Sequence, residues 1–150
     1  MIGALTPCVV STADALLCSP GKTCATVGGH GIPSALFKSN REWFWPPAPA
    51  GPSYGQLCWS NVSLQQFMIK QVKAYLTSTP DATIISVSQN DNFAQCGTPE
   101  EKAINAAEGT AGGALFRAVN VIADAIKGDF PAVAVDTLAG VYVLFLKPLA

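Results

Sequence analysis

The chain has 150 residues and a net charge of -1, and only 13% of its residues are charged. This length suits a single domain with a substantial core. No basic cluster occurs, so we expect neither nucleic acid nor an anionic membrane as a partner. No segment reaches the roughly 18 apolar residues of a membrane span. Residues 1–18 lack a basic start and include Asp14, which argues against a signal peptide.

The five cysteines follow no C-x-x-C spacing, and their number is odd. Structural zinc is therefore not expected, and complete disulfide pairing within the chain is excluded. The simplest interpretation is buried thiols with room for one disulfide among them. The cysteines are Cys8, Cys18, Cys24, Cys58 and Cys96. The sequence implies neither a metal nor a cofactor.

The first assignable element is a short strand over residues 24–27, since residues 1–23 predict none. The strand runs into Gly28 and Gly29, which permit a tight backbone, and His30 follows at the strand end. His30 is the only histidine. It is interpreted either as an ordinary hydrogen-bonded polar residue or as a site residue at a strand tip.

Residues 38–56 are predicted to form a long loop, because their proline density excludes regular helix. Trp43 and Trp45 lie in this loop beside Arg41 and Glu42. Long loops in compact domains are often functional, so one interpretation is a stacking platform for a sugar ring. The alternative is that the two tryptophans cap the core.

A second short strand with a polar exit is predicted over residues 56–61, followed by a helix. Ser63 and Gln66 have the capping-box spacing, and apolar residues recur at helical intervals up to Pro80. The triplet Asn61–Ser63 matches the glycosylation acceptor pattern, but it stands where a helix cap is expected. The apolar stripe of this helix is expected to pack against a sheet.

The clearest strand covers residues 83–91. It begins with β-branched residues that do not alternate cleanly with polar ones, which indicates burial on both faces. Ser86 and Ser88 share one face. The strand ends in three consecutive polar residues: Gln89, Asn90 and Asp91. Parallel α/β folds carry their chemistry at such carboxyl-terminal strand tips.

Residues 92–110 are predicted to form a polar loop with one helical turn near residues 100–105. A second helix then begins at residue 111, with Thr110 as its cap, and ends at Gly128. A further strand is predicted over residues 132–138. A strand, a helix and a strand in this order imply a right-handed parallel crossover.

These elements predict an α/β fold with parallel strands and crossover helices, as in part of a (β/α)8 TIM barrel. We expect residues 24–140 to form this partial barrel and residues 141–150 to form an apolar tail. Because the pattern stops before a full barrel is complete, we expect a fragment of a larger protein. Open sheet edges in such a fragment favour self-association.

Four segments of the sequence carry a family resemblance. They are Gln56–Cys58, Asp81–Asp91, Glu108–Gly109 with the helix that bears Asn120, and Val135–Ala139. Through these segments the chain resembles the family called domain of unknown function 4838 over roughly residues 24–140. Ser86–Asp91 is the most specific part of the match. The resemblance implies a (β/α)8 barrel related to glycoside hydrolases.

A more distant resemblance is to the β-N-acetylhexosaminidases, whose corresponding strand ends in an Asp-Glu pair. In those enzymes the glutamate is the general acid and the aspartate orients the acetamido group. Asn90 and Asp91 occupy the positions of that pair, which implies the acid role for Asp91. His30, after its two glycines, resembles a histidine at an earlier strand end. The α-glucuronidases are similar in having an acidic residue at a strand tip.

The resemblance therefore implies a carbohydrate-active hydrolase. Glycoside hydrolysis normally needs two carboxylates. Asp136 and Glu108 are candidates for the second one by position, although Asp136 also suits a structural hydrogen bond and Glu108 a solvated loop. Gln89 is a candidate for substrate binding with His30, Trp43 and Trp45. The alternative function is a non-catalytic glycan-binding domain or a degenerate barrel fragment.

Overall fold

A computed structural model of the chain describes residues 39–45, 56–89 and 94–137, together with the backbone of residues 24–28. The strands are β1 Cys24–Gly28, β2 Phe44–Trp45, β3 Gln56–Leu57, β4 Ile84–Ser88 and β5 Ala134–Asp136. The α-helices are α1 Val62–Ser78, α2 Pro99–Glu108 and α3 Gly113–Ile126, and Arg41–Trp43 form a 3-10 turn. The segments 1–23 and 141–150 lie outside the described residues.

The main sheet has the strand order β1-β4-β5, and both strand pairs are parallel. Strand β4 is therefore central, with Ser86 in register with Asp136 on one side and Gly28 in register with Ser88 on the other. The predicted strands over 24–27, 83–91 and 132–138 are confirmed in their central parts. The predicted parallel crossover between the last two is also confirmed. Closure into a (β/α)8 barrel involves more strands and stays a prediction.

Strand β4 is buried on both faces, as its sequence predicts. Ile85 and Val87 are fully buried and belong to the hydrophobic core. Ser86 and Ser88 are also buried and share the opposite face, because side chains alternate along a strand. The sheet therefore has an apolar face in the core and a face on which β4 presents hydroxyl groups.

Helix α1 begins at Asn61, whose side-chain oxygen accepts a hydrogen bond from the Leu64 backbone N at 3.1 Å. Ser63 is not the cap, because it already lies within the first turn. Its hydroxyl instead donates to Asn61 Oδ1 at 2.8 Å. The buried residues recur at every fourth position, as expected for one helical face against the core. They are Leu64, Met68, Val72 and Leu76.

The prediction of a polar loop over residues 92–110 is wrong, because α2 occupies ten residues of it. Thr98 caps this helix by accepting from the Glu101 backbone N at 3.3 Å, and Pro99 takes the first helical position. Gly109 ends the helix with a left-handed φ of 67°. Glu101 is the only buried residue of α2, so the helix lacks the apolar stripe that periodicity detects.

Helix α3 follows after a short corner, and the predicted cap at Thr110 is wrong. Gly112 stands at the cap position without a side-chain hydrogen bond. Asn105 of α2 instead accepts from the Ala114 backbone N at 2.8 Å. A Cβ added to Gly113 would lie 2.6 Å from the Glu108 Cβ. Glycine at this position therefore allows α2 and α3 to approach closely.

A two-stranded antiparallel ribbon forms at the two ends of the predicted 38–56 loop. Strand β2 pairs with β3, and the Cys58 backbone N donates to the Trp43 carbonyl at 2.8 Å. The loop prediction is therefore wrong at both ends, and β3 pairs with β2 and not with the parallel sheet. Phe44 and Leu57 are buried, so the ribbon covers part of the core.

The core is one cluster in which both sheets and helices α1 and α3 take part. Its largest fully buried side chains are Trp59, Leu57, Leu64, Met68, Leu76, Ile85, Ile122, Ile126, Val72 and Val87. Within the described ranges, no helix has the length and apolar character needed to cross a membrane.

The left-handed conformation of Gly109 gives a direct test of the α2 boundary. Gly109→Ala should lower the free energy of unfolding by about 1 kcal/mol, because an L side chain is disfavoured at this φ. Urea unfolding measures the change. Gly128→Ala is the matched control, since an added Cβ meets nothing within 4 Å at either position and only Gly109 has a positive φ. Equal losses of stability in the two variants would contradict the left-handed conformation of Gly109 at the end of α2.

Candidate functional site

The carboxyl ends of the three parallel strands lie along one edge of the main sheet. The strands end at Gly28, Ser88 and Asp136. Gln89 follows β4 directly, so two of the predicted site residues, Gln89 and Asp136, lie at this edge. We call it the strand-end edge. Three further predicted residues, His30, Asn90 and Asp91, lie outside the described residues.

A row of buried polar groups on β4 leads to the strand-end edge. The hydroxyls of Ser86 and Ser88 are 2.9 Å apart and hydrogen-bonded to each other. Gln89 is only 8% exposed. Asp136, in register with Ser86, is exposed. Among the described residues, the edge thus combines buried uncharged polar groups with the accessible carboxylate of Asp136.

The two candidate tryptophans have different surroundings. Trp43 is 5% exposed and its ring lies 5.1 Å from that of Phe67. Its indole N–H donates to the Ser63 hydroxyl at 2.6 Å. Trp45 is only partly buried, and a Cβ added to Gly97 would lie 2.6 Å from its ring. Trp43 is therefore a core residue, whereas Trp45 lies against the backbone just before α2.

Glu108 lies at the corner between α2 and α3. Its Oε1 accepts from Arg117 Nε at 2.6 Å, and both side chains are exposed. Surface ion pairs of this kind contribute about 0–1 kcal/mol. Of the two acidic residues considered for a second carboxylate, only Asp136 ends a strand of the parallel sheet.

A disulfide joins Cys58 to Cys96 across 38 residues of sequence, with a Cα separation of 5.1 Å. Both cysteines are buried. One disulfide among the five cysteines fits the interpretation of the sequence, but sequence alone does not identify the partners. Cys58 directly follows β3 and Cys96 precedes the cap of α2, so the disulfide connects the β3–α1 turn to the start of α2.

Glu101 also connects the β3–α1 turn to the start of α2, and the sequence analysis did not identify this residue. Its Oε2 accepts from both the backbone N and the hydroxyl of Ser60, each at 3.0 Å. In a capping box, the side chain of the third helical residue accepts a hydrogen bond from the backbone N–H of the capping residue. Thr98 and Glu101 have this spacing, and it is the one signal in the sequence that singles out Glu101. Burial raises the pKa of Glu101, and the hydrogen bonds from Ser60 partly oppose this effect.

We call Cys58, Cys96, Glu101 and Ser60 the α2 anchor. The strand-end edge and the α2 anchor bracket a short stretch of chain, because only residues 90–95 separate Gln89 from Cys96. A long hydrogen bond of 3.5 Å from Gln56 Nε2 to the Ala94 carbonyl adds a further tie. The predicted site residues Asn90 and Asp91 therefore lie in sequence between two buried residues, Gln89 and Cys96.

The model of the family described as domain of unknown function (DUF4838) matches residues 25–147. The chain therefore belongs to this family, which confirms the family resemblance seen in the sequence. Neither a curated protein nor a solved structure gives a significant match. The relationship to glycoside hydrolases stays a prediction.

The raised pKa of Glu101 predicts how stability depends on pH in the disulfide-bonded protein. The Glu101 carboxyl group binds its proton more tightly in the folded state than in the unfolded state, for which its pKa is 4.5. The protonated carboxyl group therefore makes its full contribution to the free energy of unfolding below about pH 4.5. That contribution is lost as pH rises through the higher pKa of the folded state. Urea unfolding at a series of pH values measures it.

Glu101→Gln should lack this pH-dependent contribution, because an amide does not ionise yet can still accept from Ser60. Glu100→Gln is the matched control on the adjacent, exposed residue and should keep the wild-type pH dependence. The assignment fails if wild type and Glu101→Gln lose stability in parallel as pH rises above 4.5.

Proposed function

We propose that the protein is a carbohydrate-active domain of the glycoside hydrolase type, with its site at the strand-end edge. The observation that carries the proposal is the parallel register of β1, β4 and β5, which brings three strand ends to one edge of a sheet. Ligands of parallel α/β folds bind at this position. Membership of the family supports the proposal, because the family resemblance first indicated a glycoside-hydrolase-like barrel.

Chain length supports a common site for the residues beyond the strand ends. His30 follows the end of β1 by two residues, and Asp91 follows the end of β4 by three. Two and three residues extend at most about 7 and 11 Å, and neighbouring strands are about 4.8 Å apart. Glycoside hydrolysis uses two carboxylates roughly 5–9.5 Å apart, and we assign Asp91 and Asp136 to this pair.

In the proposed mechanism, Asp91 is the general acid that protonates the leaving glycosidic oxygen. Asp136 is the second carboxylate and acts on the opposite side of the sugar, either on a water molecule or on the anomeric carbon directly. Asn90 orients the substrate. The amide of Gln89, beside Asn90, and the imidazole of His30 supply hydrogen bonds to sugar hydroxyls.

Trp45 is the aromatic residue best suited to a sugar ring, since its side chain is partly exposed whereas Trp43 is buried in the core. Its ring is held against Gly97, one residue after Cys96. An indole supplies a rigid apolar surface together with an N–H donor. This arrangement favours a sugar-binding role for Trp45.

Asp91→Asn should lower kcat for hydrolysis of aryl glycosides by about 10²–10⁴-fold, the contribution typical of general acid catalysis. The decrease in kcat should be largest for substrates with poor aryl leaving groups, because good leaving groups depart without protonation by a general acid. The assay uses a panel that includes aryl N-acetylhexosaminides and glucuronides. Asp136→Asn should abolish turnover regardless of the leaving group.

Asp124→Asn is the matched control, because Asp124 is an exposed aspartate that pairs with Lys127 on α3. This variant should retain wild-type activity. Undiminished hydrolysis by Asp91→Asn would exclude the general-acid assignment. Sugar binding without turnover in the wild-type protein would instead favour a non-catalytic glycan-binding domain.

A further inference from the structure

The α2 anchor holds three buried groups whose chemistry the proposed function does not use. The two sulfur atoms of Cys58 and Cys96 and a carboxylate oxygen of Glu101 all lie within 4.8 Å of one another. All three residues are buried, at 5% exposure or less. Thiolates and carboxylates are established ligands of Zn²⁺ and of similar divalent cations. In the oxidised protein the sulfur atoms are bonded to each other and are not available as thiolate ligands.

We propose that reduction of the Cys58–Cys96 disulfide converts the α2 anchor into a site for a thiophilic divalent cation such as Zn²⁺. Cys58, Cys96 and Glu101 are the three protein ligands, and the fourth tetrahedral position is left for water or another small ligand. The site is independent of the strand-end edge and of the proposed hydrolytic activity.

The geometry of the cluster fits a tetrahedral site after a small rearrangement. With Zn–S bonds of about 2.3 Å, two tetrahedral sulfur ligands lie about 3.8 Å apart. A Cα separation of 5.1 Å between Cys58 and Cys96 allows the sulfurs to move apart to this distance by side-chain rotation. The carboxylate oxygen lies within 4.8 Å of both sulfurs, and a tetrahedral site with a Zn–O bond of about 2.0 Å places these atoms about 3.5 Å apart.

The surroundings of Glu101 favour it as a ligand. Its Oε2 accepts two hydrogen bonds from Ser60, which fix the orientation of the carboxylate. Burial penalises its charge, and a bound cation would offset that penalty. The same holds for the two buried thiols, which become thiolates when a metal binds.

Reduction of the Cys58–Cys96 disulfide by a phosphine and one water gives the phosphine oxide and two thiols. Binding of M²⁺ then releases one proton from each thiol, and a third from Glu101 wherever that residue is protonated. Hydrogen peroxide reverses the reduction: it takes two electrons from the two thiolates and, with two protons, becomes two waters. The cation is released, because a disulfide has no thiolate to donate.

The test uses the full chain with Cys8, Cys18 and Cys24 replaced by serine, so that only Cys58 and Cys96 remain as thiols. After reduction with a phosphine under anaerobic conditions, the protein is titrated with Co²⁺. We expect one equivalent to bind with sulfur-to-cobalt charge-transfer absorption and tetrahedral d–d bands. The oxidised protein should give neither signal, and Zn²⁺ should displace the bound Co²⁺.

Glu101→Gln should weaken Co²⁺ binding by about tenfold or more, whereas Glu100→Gln, the matched control, should leave it unchanged. Circular dichroism follows the fold in parallel. The proposal is overturned if the reduced protein binds no Co²⁺, including the case in which it unfolds and metal does not restore it. It is also overturned if Glu101→Gln binds as tightly as the reference protein, since the thiols would then act without the carboxylate.

Discussion

The link between the β3–α1 turn and the start of α2 is the constraint on which the rest of the arrangement depends. It consists of the Cys58–Cys96 disulfide and the two hydrogen bonds from Ser60 to Glu101. Closing a loop of 38 residues contributes about 4 kcal/mol by chain-entropy estimates. Glu101 is the one fully buried residue of helix α2, and Ile104 packs partly buried against the core. The covalent and polar link therefore adds to a limited apolar contact.

Buried residues flank the sequence segment between β4 and Cys96. On one side Gln89 is buried at the end of the central strand, and on the other Cys96 is covalently attached. The residues proposed to act on the sugar, Asn90 and Asp91, are thus connected in sequence to well-packed parts of the described chain on either side.

Local patterns in the sequence were enough to predict β1, β4, β5, α1 and α3. Strand β4 and helices α1 and α3 bury apolar residues, whereas β5 is largely exposed. Strands β1 and β5 were predicted from short runs of β-forming residues next to glycine or proline. These patterns did not predict α2, which has clear capping signals at Thr98 and Gly109 but no apolar stripe. The β2–β3 ribbon depends on pairing between distant two-residue segments, which local patterns do not reveal. Trp43 and Trp45 look equivalent in sequence, and only tertiary packing separates the core ring from the accessible one. The partner of Cys58 and the contact from Glu101 to Ser60 are likewise long-range.

Carbohydrate binding at the strand-end edge is tested most directly by amide and indole chemical shifts of the ¹⁵N-labelled protein during titration with aryl glycosides. Binding there should shift the signals of Ser88, Gln89 and Asp136, together with the indole N–H of Trp45. The indole N–H of Trp43, hydrogen-bonded to Ser63 in the core, should stay unchanged. Absence of any shift across the panel, or shifts confined to residues remote from these strand ends, would contradict the proposed site.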